Sequence, residues 1–393
     1  MAYEFLRLRL HKHKENFLDN ENFLERQPKL READLSGAKA RWIKTIFFAL
    51  FTLAFLLNQA FTAPAQKAFI LGSLQAEPGK IVSGWLEVPT GQDPGTRLPV
   101  TVINGLKPGK VLAVVAGIHP YEYPPILASY RLKKRLDPKE ICGTLILVHI
   151  AHLPAFQRRT IYYNPYDWKN LNRVFPGDLK GTQSQRIAAV ITEEIINRAE
   201  AVIDLHCGDG NEALIPYTYW MTTGDPSLDE ISKQMALAFG LKHIIIDSTR
   251  PRDPKDSKYL SWTAILRGKP SITTEAGYLG RTDEELIEAN VLGVLNVMRY
   301  FKMIPGEAKI LADPVWIEKY EVIYSRHDGL FYPQTKMGQY VRAGQIIGYI
   351  EDYFGNLLEE VRAPFTGILL YIINTPPCNA GEPLFEVGQV KEK

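Results

Sequence analysis

The chain has 393 residues, more than one ordinary core accommodates, so two or three domains are expected. Lysine and arginine (46) nearly balance aspartate and glutamate (44), leaving a formal charge of +2, which excludes a nucleic-acid binder with a concentrated basic face. Three widely separated cysteines without CxxC spacing (Cys142, Cys207, Cys378) exclude a disulfide framework and a cysteine-based zinc site.

In chain order, residues 1–44 carry mixed charge and read either as a cytoplasmic extension or as sequence ahead of the true start. Lys39, Arg41 and Lys44 then precede an apolar run, 45–57, and Ala63-Pro64-Ala65 follows it. Basic flank, short apolar core and small-x-small exit are the parts of a secretory signal. The run falls short of the roughly 20 residues that cross a bilayer comfortably. Left uncleaved, 45–65 would anchor the chain. Both outcomes place the rest outside the cytoplasm, periplasmic or membrane-held.

From 68 to 117 short runs alternate with tight turns at Pro78-Gly79, Thr90-Gly91 and Pro94-Gly95. Residues 81–88, 98–103 and 111–116 read as strands, and the turn signal Lys107-Pro108-Gly109-Lys110 predicts that the last two are neighbours. The β-branched run 111–116 ends at Gly117, with His119 and Glu122 immediately after. Loops leaving strand ends carry the chemistry of open α/β sheets. An imidazole and a carboxylate three apart grip a cation or form a surface ion pair, and the pair alone leaves both open.

A helix over 126–136 and a strand over 144–150 complete a βαβ pattern. The loop 152–180 is long and aromatic, the mark of a functional segment. An amphipathic helix over 183–199, with Ile187, Ala188, Ile191, Ile195 and Ile196 inward, leads into the strand 201–206. On that strand Asp204 and His206 share one face, opposite Leu205 and Cys207. His206 is the natural third ligand beside His119 and Glu122, a His–Glu–His set with a fourth position open to water. Arg250 and Arg252 fall in a Pro/Asp/Lys-rich loop that reads as a solvated lid, with a substrate contact as the alternative. Glu275 ends the strand at 271–275 and is placed to deprotonate a metal-activated water. A helix over 283–301 closes the first domain (68–305), and a glycine-punctuated β domain follows (306–393).

Four ordered motifs, Gly117-x-His119-x-x-Glu122, Asn170-Leu171-Asn172-Arg173, Asp204-Leu205-His206 and Thr274-Glu275-Ala276-Gly277, resemble the succinylglutamate desuccinylase/aspartoacylase family, a branch of the zinc-carboxypeptidase-like hydrolases. The resemblance implies a three-layer α/β/α domain and zinc at His119, Glu122 and His206, with Glu275 as general base. It also implies a substrate carboxylate held by Asn172 and Arg173, and an arginine at the scissile carbonyl, for which Arg159 is first choice and Arg158 second. Two positions depart from the family spelling: Pro120 stands where glycine is common, and Asn170 replaces an aspartate that would orient the first zinc histidine. Asp167 or Asp204 is then a candidate to compensate. The C-terminal phrases Gly338–Gln345 and Arg362–Gly367 resemble a barrel-sandwich (biotinyl/lipoyl-like) domain, but the expected carrier lysine is missing from 351–356.

The sequence therefore predicts a zinc-dependent hydrolase of an amide in a carboxylate-bearing small molecule, an N-acyl amino acid, or in a short peptide. An exported carboxypeptidase acting on cell-envelope peptides is the alternative of the same class. An inactive hydrolase-fold protein that binds carboxylate-ended peptides is the alternative of another class.

Overall fold

The computed structural model describes residues 65–392 apart from Arg250 and Arg252. The apolar segment 45–57 and the extension before it lie outside the described residues, as do the two arginines of the expected lid. Among the described residues no helix is long and apolar enough to cross a membrane.

A short hairpin, β1 (Phe69–Leu71) and β2 (Leu74–Ala76), precedes the main sheet. That sheet begins with β3 (Lys80–Val88), β4 (Thr96–Asn104), β5 (Lys107–Ala116), β6 (Cys142–Val148) and β7 (Ala201–His206). It continues through β8 (Glu212–Leu214), β9 (Tyr217–Met221), β10 (His243–Asp247), β11 (Ser271–Glu275) and β12 (Val315–Tyr324). Six α-helices connect them: α1 (Tyr123–Arg135), α2 (Leu153–Arg158), α3 (Gln183–Val190), α4 (Pro226–Phe239), α5 (Leu260–Ile265) and α6 (Glu284–Tyr300). The helix expected over 183–199 is α3 running into a π-helical turn, Ile191–Ile196, and all five residues expected inward are buried.

Strand β5 shows why the layers form. Leu112, Val114 and Ala116 pack into a core with α1, α4 and α6, while Ala113 and Val115 face a second core made with α3, its π-helical turn and α5. A strand apolar on both faces must be covered on both, and the result is the expected three-layer α/β/α sandwich. Burying each such leucine or valine contributes roughly 1.5–3 kcal/mol.

The parallel centre runs β11–β7–β5–β6, so the carboxyl ends of β5, β7 and β11 lie side by side. The expected β4–β5 neighbours are separated: β6, returning through α1, inserts between them and pairs with both. Lys107-Pro108-Gly109-Lys110 is accordingly the irregular start of β5, where the register against β6 shifts, rather than a turn between adjacent strands.

Beyond Pro305, β12 pairs parallel with β10 and antiparallel with the last strand, so the main sheet continues into the C-terminal region. That region adds β13 (Gly329–Pro333), β14 (Tyr340–Val341), β15 (Ile346–Glu351), β16 (Leu357–Arg362), β17 (Gly367–Ile373), β18 (Pro377–Cys378) and β19 (Pro383–Val390). Strands β14, β17 and β19 extend the main sheet; β16, β15, β13 and β18 form a separate four-stranded one. The β15–β16 hairpin carries Tyr353 and Phe354 at its exposed tip and no lysine.

Candidate active site

Gly117 turns the chain out of β5 with a left-handed backbone (φ +70°), and a Cβ there would sit 3.0 Å from the Ile150 Cα. Glycine is the residue that takes this conformation without strain. The turn delivers His119 and Glu122 to the end of the sheet, beside His206 at the end of β7. A second glycine, Gly277, lets the β11 exit pass close by: a Cβ there would meet the Pro124 Cγ at 2.9 Å and the Cys207 Cβ at 3.1 Å.

Glu122 sits between two imidazoles. Its Oε1 is 2.7 Å from His119 Nδ1, and its Oε2 is 2.9 Å from His206 Nδ1. The backbone N–H of Cys207 also donates to Oε2 at 3.3 Å. The far nitrogens have partners of their own. His119 Nε2 lies 3.1 Å from Asn170 Oδ1, and His206 Nε2 lies 3.1 Å from Asp204 Oδ1 and 3.4 Å from Asn172 Nδ2. The Asn170 oxygen at His119 Nε2 places that ring's proton there and leaves its Nδ1 free to bind a cation.

One ligand atom from each of His119, Glu122 and His206 lies within 4.8 Å of the others. A tetrahedral ion about 2.0–2.1 Å from its ligands separates them by roughly 3.3 Å, so the present contacts need open by only about half an ångström. The surroundings call for positive charge. Asp204 is wholly buried and neither of its oxygens has a hydrogen-bond donor, its His206 contact being an ion pair outside hydrogen-bond geometry. Burial pushes Glu122 up, but the two imidazoles outweigh it and hold the carboxyl at about 2. Burial pulls His206 down, and Asp204 with Glu122 outweighs that, holding the ring charged well above its usual range. Two buried acids gripping one imidazolium are a set that a divalent cation satisfies in the proton's place. The residues fit the ion.

Glu275 is the immediate neighbour of His206 across β11 and β7 and opens onto the same cavity. Burial, with Glu122 and Asp204 adding to it against the pull of His206, holds its carboxyl well above the usual range. Arg173 also reaches the cavity, its guanidinium 4.6 Å above the Tyr259 ring and donating to the Asn172 carbonyl at 2.9 Å. Asn172 lines the same wall, with Oδ1 accepting from the Leu260 N–H at 3.1 Å.

Arg158 and Arg159 are not brought to the cavity. Helix α2 ends there: Arg159 caps it in the left-handed conformation (φ 57°), its N–H bonded to Ala155 and Phe156 carbonyls, and both side chains are exposed. Among the described residues the arginine that reaches the cavity is Arg173. Asp204 meets a ligand histidine, as the compensation argument asked, whereas Asp167 is spent on the Ser184 N–H and hydroxyl and on the Lys169 N–H. His149 is a buried hydrogen-bonder, held by Thr101 and Ser129, and Tyr162 and Tyr163 wall the cavity.

The cavity measures about 710 Å³ and extends past the histidines to a floor that the sequence argument did not anticipate. Asp209, Glu212, Asp247 and Glu386 belong to it, with Tyr217, Tyr219, Tyr320 and Tyr371. One signal was legible: Glu386 is a lone carboxylate in the otherwise apolar stretch 384–387. Burial raises Asp209 to about 6 and holds Glu212 well above its ordinary range.

An α/β/α sandwich that gathers two histidines and a glutamate at its strand ends, beside a further glutamate, has the architecture of the zinc-carboxypeptidase-like hydrolases. Residues 108–301 match the succinylglutamate desuccinylase/aspartoacylase catalytic domain, and the chain belongs to that family. It is 27% identical over 336 residues to an N-alpha-acetyl-L-2,4-diaminobutyric acid deacetylase of Halomonas elongata, covering 82% of this chain and 96% of the relative. A crystal structure of a succinylglutamate desuccinylase/aspartoacylase from Rhodobacter sphaeroides superimposes with a TM-score of 0.70 at 25% identity, over 80% of this chain and 96% of that one. The product-bound ectoine utilization protein EutE (DoeB) from Ruegeria pomeroyi shares the fold, with a TM-score of 0.72 at 22% identity over 82% and 99% of the two chains. The chain is thus a hydrolase of the N-acyl amino acid deacylase type.

Proposed function

We propose that the protein is a zinc-dependent deacylase that cleaves the amide of a small N-acyl amino acid. The observation that carries this reading is the meeting of His119, Glu122 and His206 beside Glu275, on one wall of a cavity that also holds Arg173. A zinc ion at the three ligands supplies Lewis-acid polarisation of the acyl carbonyl and a water acidic enough to be deprotonated at neutral pH. Arg173 clamps the substrate carboxylate through its planar fork of N–H donors, with Asn172 beside it. Glu275 takes a proton as the water oxygen bonds to the acyl carbon, then returns it to the nitrogen as the C–N bond breaks. Its raised proton affinity suits that second task. The products are a carboxylic acid and a free amino acid. The relative from Halomonas elongata, a deacetylase by name, is of this reaction type.

The test is a scan of N-acyl amino acids and short peptides with purified protein, before and after chelation. Chelator-sensitive release of a free amino acid supports the reading. Zinc-free protein that binds peptides and hydrolyses nothing would overturn it. Export through segment 45–65 is a second proposal, resting on the sequence pattern alone; a full-length chain recovered only from the cytoplasmic fraction would refute it.

A further inference from the structure

The loop between α2 and the Asn170–Arg173 turn directs its apolar side chains outward. Ile161, Tyr163, Tyr166 and Trp168 are all exposed, Trp168 at 73%. Large apolar side chains clustered outside the core mark a surface that meets something. The loop is not slack. Asn164, wholly buried, donates from Nδ2 to Gln183 Oε1 at 3.0 Å, and its own Oδ1 accepts the Tyr166 N–H at 2.8 Å. Its carbonyl accepts the Trp168 N–H at 3.0 Å. Asp167 fastens the next turn to Ser184 at the start of α3, and Tyr163 pairs with Asn170 in an isolated β-bridge. Trp168 is held at φ +55°, a left-handed conformation that a bulky residue takes only under constraint. The rings are therefore presented in fixed positions.

This rim is continuous with the cavity. Tyr162 and Tyr163 both line it, and Tyr163 is also 40% exposed, so the pair stands at its mouth. From the first candidate ligand the rings form a track, with centroids 6.2 Å apart for His119–Tyr162 and 4.6 Å for Tyr162–Tyr163, both edge to face. The 170–173 turn gives the track a direction. Arg173 lies over Tyr259, Asn172 is at His206, Asn170 is at His119, and Tyr163 pairs with Asn170. A substrate whose carboxylate is held at Arg173 and whose carbonyl meets the three-ligand cluster then sends its acyl group toward Tyr162 and Tyr163. Burial and Tyr163, with the acids Glu382, Asp209 and Glu212 adding to them, hold the Tyr162 hydroxyl well above its usual range. The aromatic faces favour an apolar acyl group, and the three acids oppose one that ends in a carboxylate.

We propose that Tyr162, Tyr163 and the exposed rim beyond them form an acyl-chain subsite, so that the preferred substrates carry a long or bulky apolar acyl group in place of acetyl or succinyl. The proposal rests on the deacylase reading for the other end of the same molecule. The Asn170–Arg173 turn and the Tyr162–Tyr163 pair belong to one continuous stretch of chain, so the carboxylate clamp and the acyl subsite keep a fixed spacing with the metal ligands between them. One buried methylene is worth a factor of about four in binding, so a tenfold preference asks for only about two methylenes of the acyl chain to be sheltered by the rings.

The test gives the zinc-loaded full chain one amino acid, the best cleaved in the acyl amino acid scan, as its Nα-acetyl, Nα-succinyl, Nα-octanoyl and Nα-phenylacetyl derivatives. The better of the two apolar compounds should exceed both the acetyl and the succinyl one at least tenfold in kcat/KM. Tyr163→Ala should bring that ratio close to one, chiefly by raising KM for the apolar compound, whereas Tyr163→Phe keeps the ring and should keep the preference. Calorimetry of chelated protein adds a reading independent of turnover: N-octanoylglycine should bind more tightly than N-acetylglycine, and Tyr163→Ala should erase the difference. An active wild type that treats the four alike or prefers acetyl overturns the proposal, as does a preference that Tyr163→Ala leaves intact. Flotation with phosphatidylcholine vesicles that is lost in Trp168→Ser, without any acyl preference, would give the rim to a bilayer instead. Inactivity on every acyl amino acid would sink the deacylase reading, and calorimetry would still decide the subsite.

Discussion

Asn170 Oδ1 stands 3.1 Å from His119 Nε2, so a neutral amide holds the first candidate ligand where the family spelling has a carboxylate. The amide oxygen fixes the ring proton and orientation but adds no negative charge to the imidazole. The same oxygen accepts from the Asn172 N–H at 2.8 Å, which sets the geometry of the whole turn. Asn170→Asp should therefore strengthen zinc binding, by about tenfold, and Asn170→Ala should weaken it by roughly 10–100-fold. Competition against a chromogenic chelator measures both. Equal affinity in all three proteins would show that Asn170 does not orient the ligand.

Glu275 opens onto the cavity beside His206 without belonging to the three-ligand set. Glu275→Gln keeps size and hydrogen bonding but cannot carry the proton. Metal content should stay at the wild-type value while kcat falls by roughly 10²–10⁴, the usual worth of a general base. A variant that retained both metal and turnover would remove Glu275 from the reaction.

Much of this site was legible because its residues end strands. Apolar runs at 111–116, 201–206 and 271–275 announce buried strands, and each is followed by, or finishes on, a polar residue that packing does not explain. Parallel neighbours then bring His119, His206 and Glu275 to one edge. The strand neighbours of β4 were not legible, because a turn signal at 107–110 says nothing about β6 arriving later to occupy the space. The floor of the cavity was hidden for a related reason. Tyr217 and Tyr219 sit on β9, antiparallel to β11, and Glu386 on β19, which joins through β12 from the far end of the chain. Only long-range sheet pairing puts them near Glu275. Arg159 failed as an expectation because resemblance fixes its approximate position in the chain, whereas the end of α2 fixes where the side chain can go.

Zinc should also hold the fold. Asp204 has two buried oxygens without hydrogen-bond donors, and Glu122 and Glu275 add further acids around one imidazole. Stripping the ion with chelator should lower the thermal midpoint by several degrees, and zinc should restore it. At a free zinc concentration near 1,000 times its dissociation constant the stabilisation is about 4 kcal/mol. A midpoint indifferent to both additions would mean that the cluster holds no ion.

The buried Glu386 predicts a pH dependence with a definite sign. Its folded-state value, raised to about 8, lies above the ordinary 4.5, so between these the native state holds a proton that the unfolded chain has released. Stability then falls as pH rises through this window and levels off above about 8, because the unfolded state binds fewer protons there. Glu386→Gln lacks the ionisable group and escapes that loss. The variant should match the wild type at pH 5 and exceed it by a few kcal/mol at pH 9, a gap that urea unfolding of chelated protein at the two pH values would resolve. The raised Glu212 carboxyl slopes the same way in both proteins and cancels in the difference, whereas Glu275, which the Glu386 charge helps to raise, is raised less in the variant and widens the gap in the same direction. A gap that stayed constant with pH would show that Glu386 is already ionised at pH 5, with a cation of the protein's own beside it.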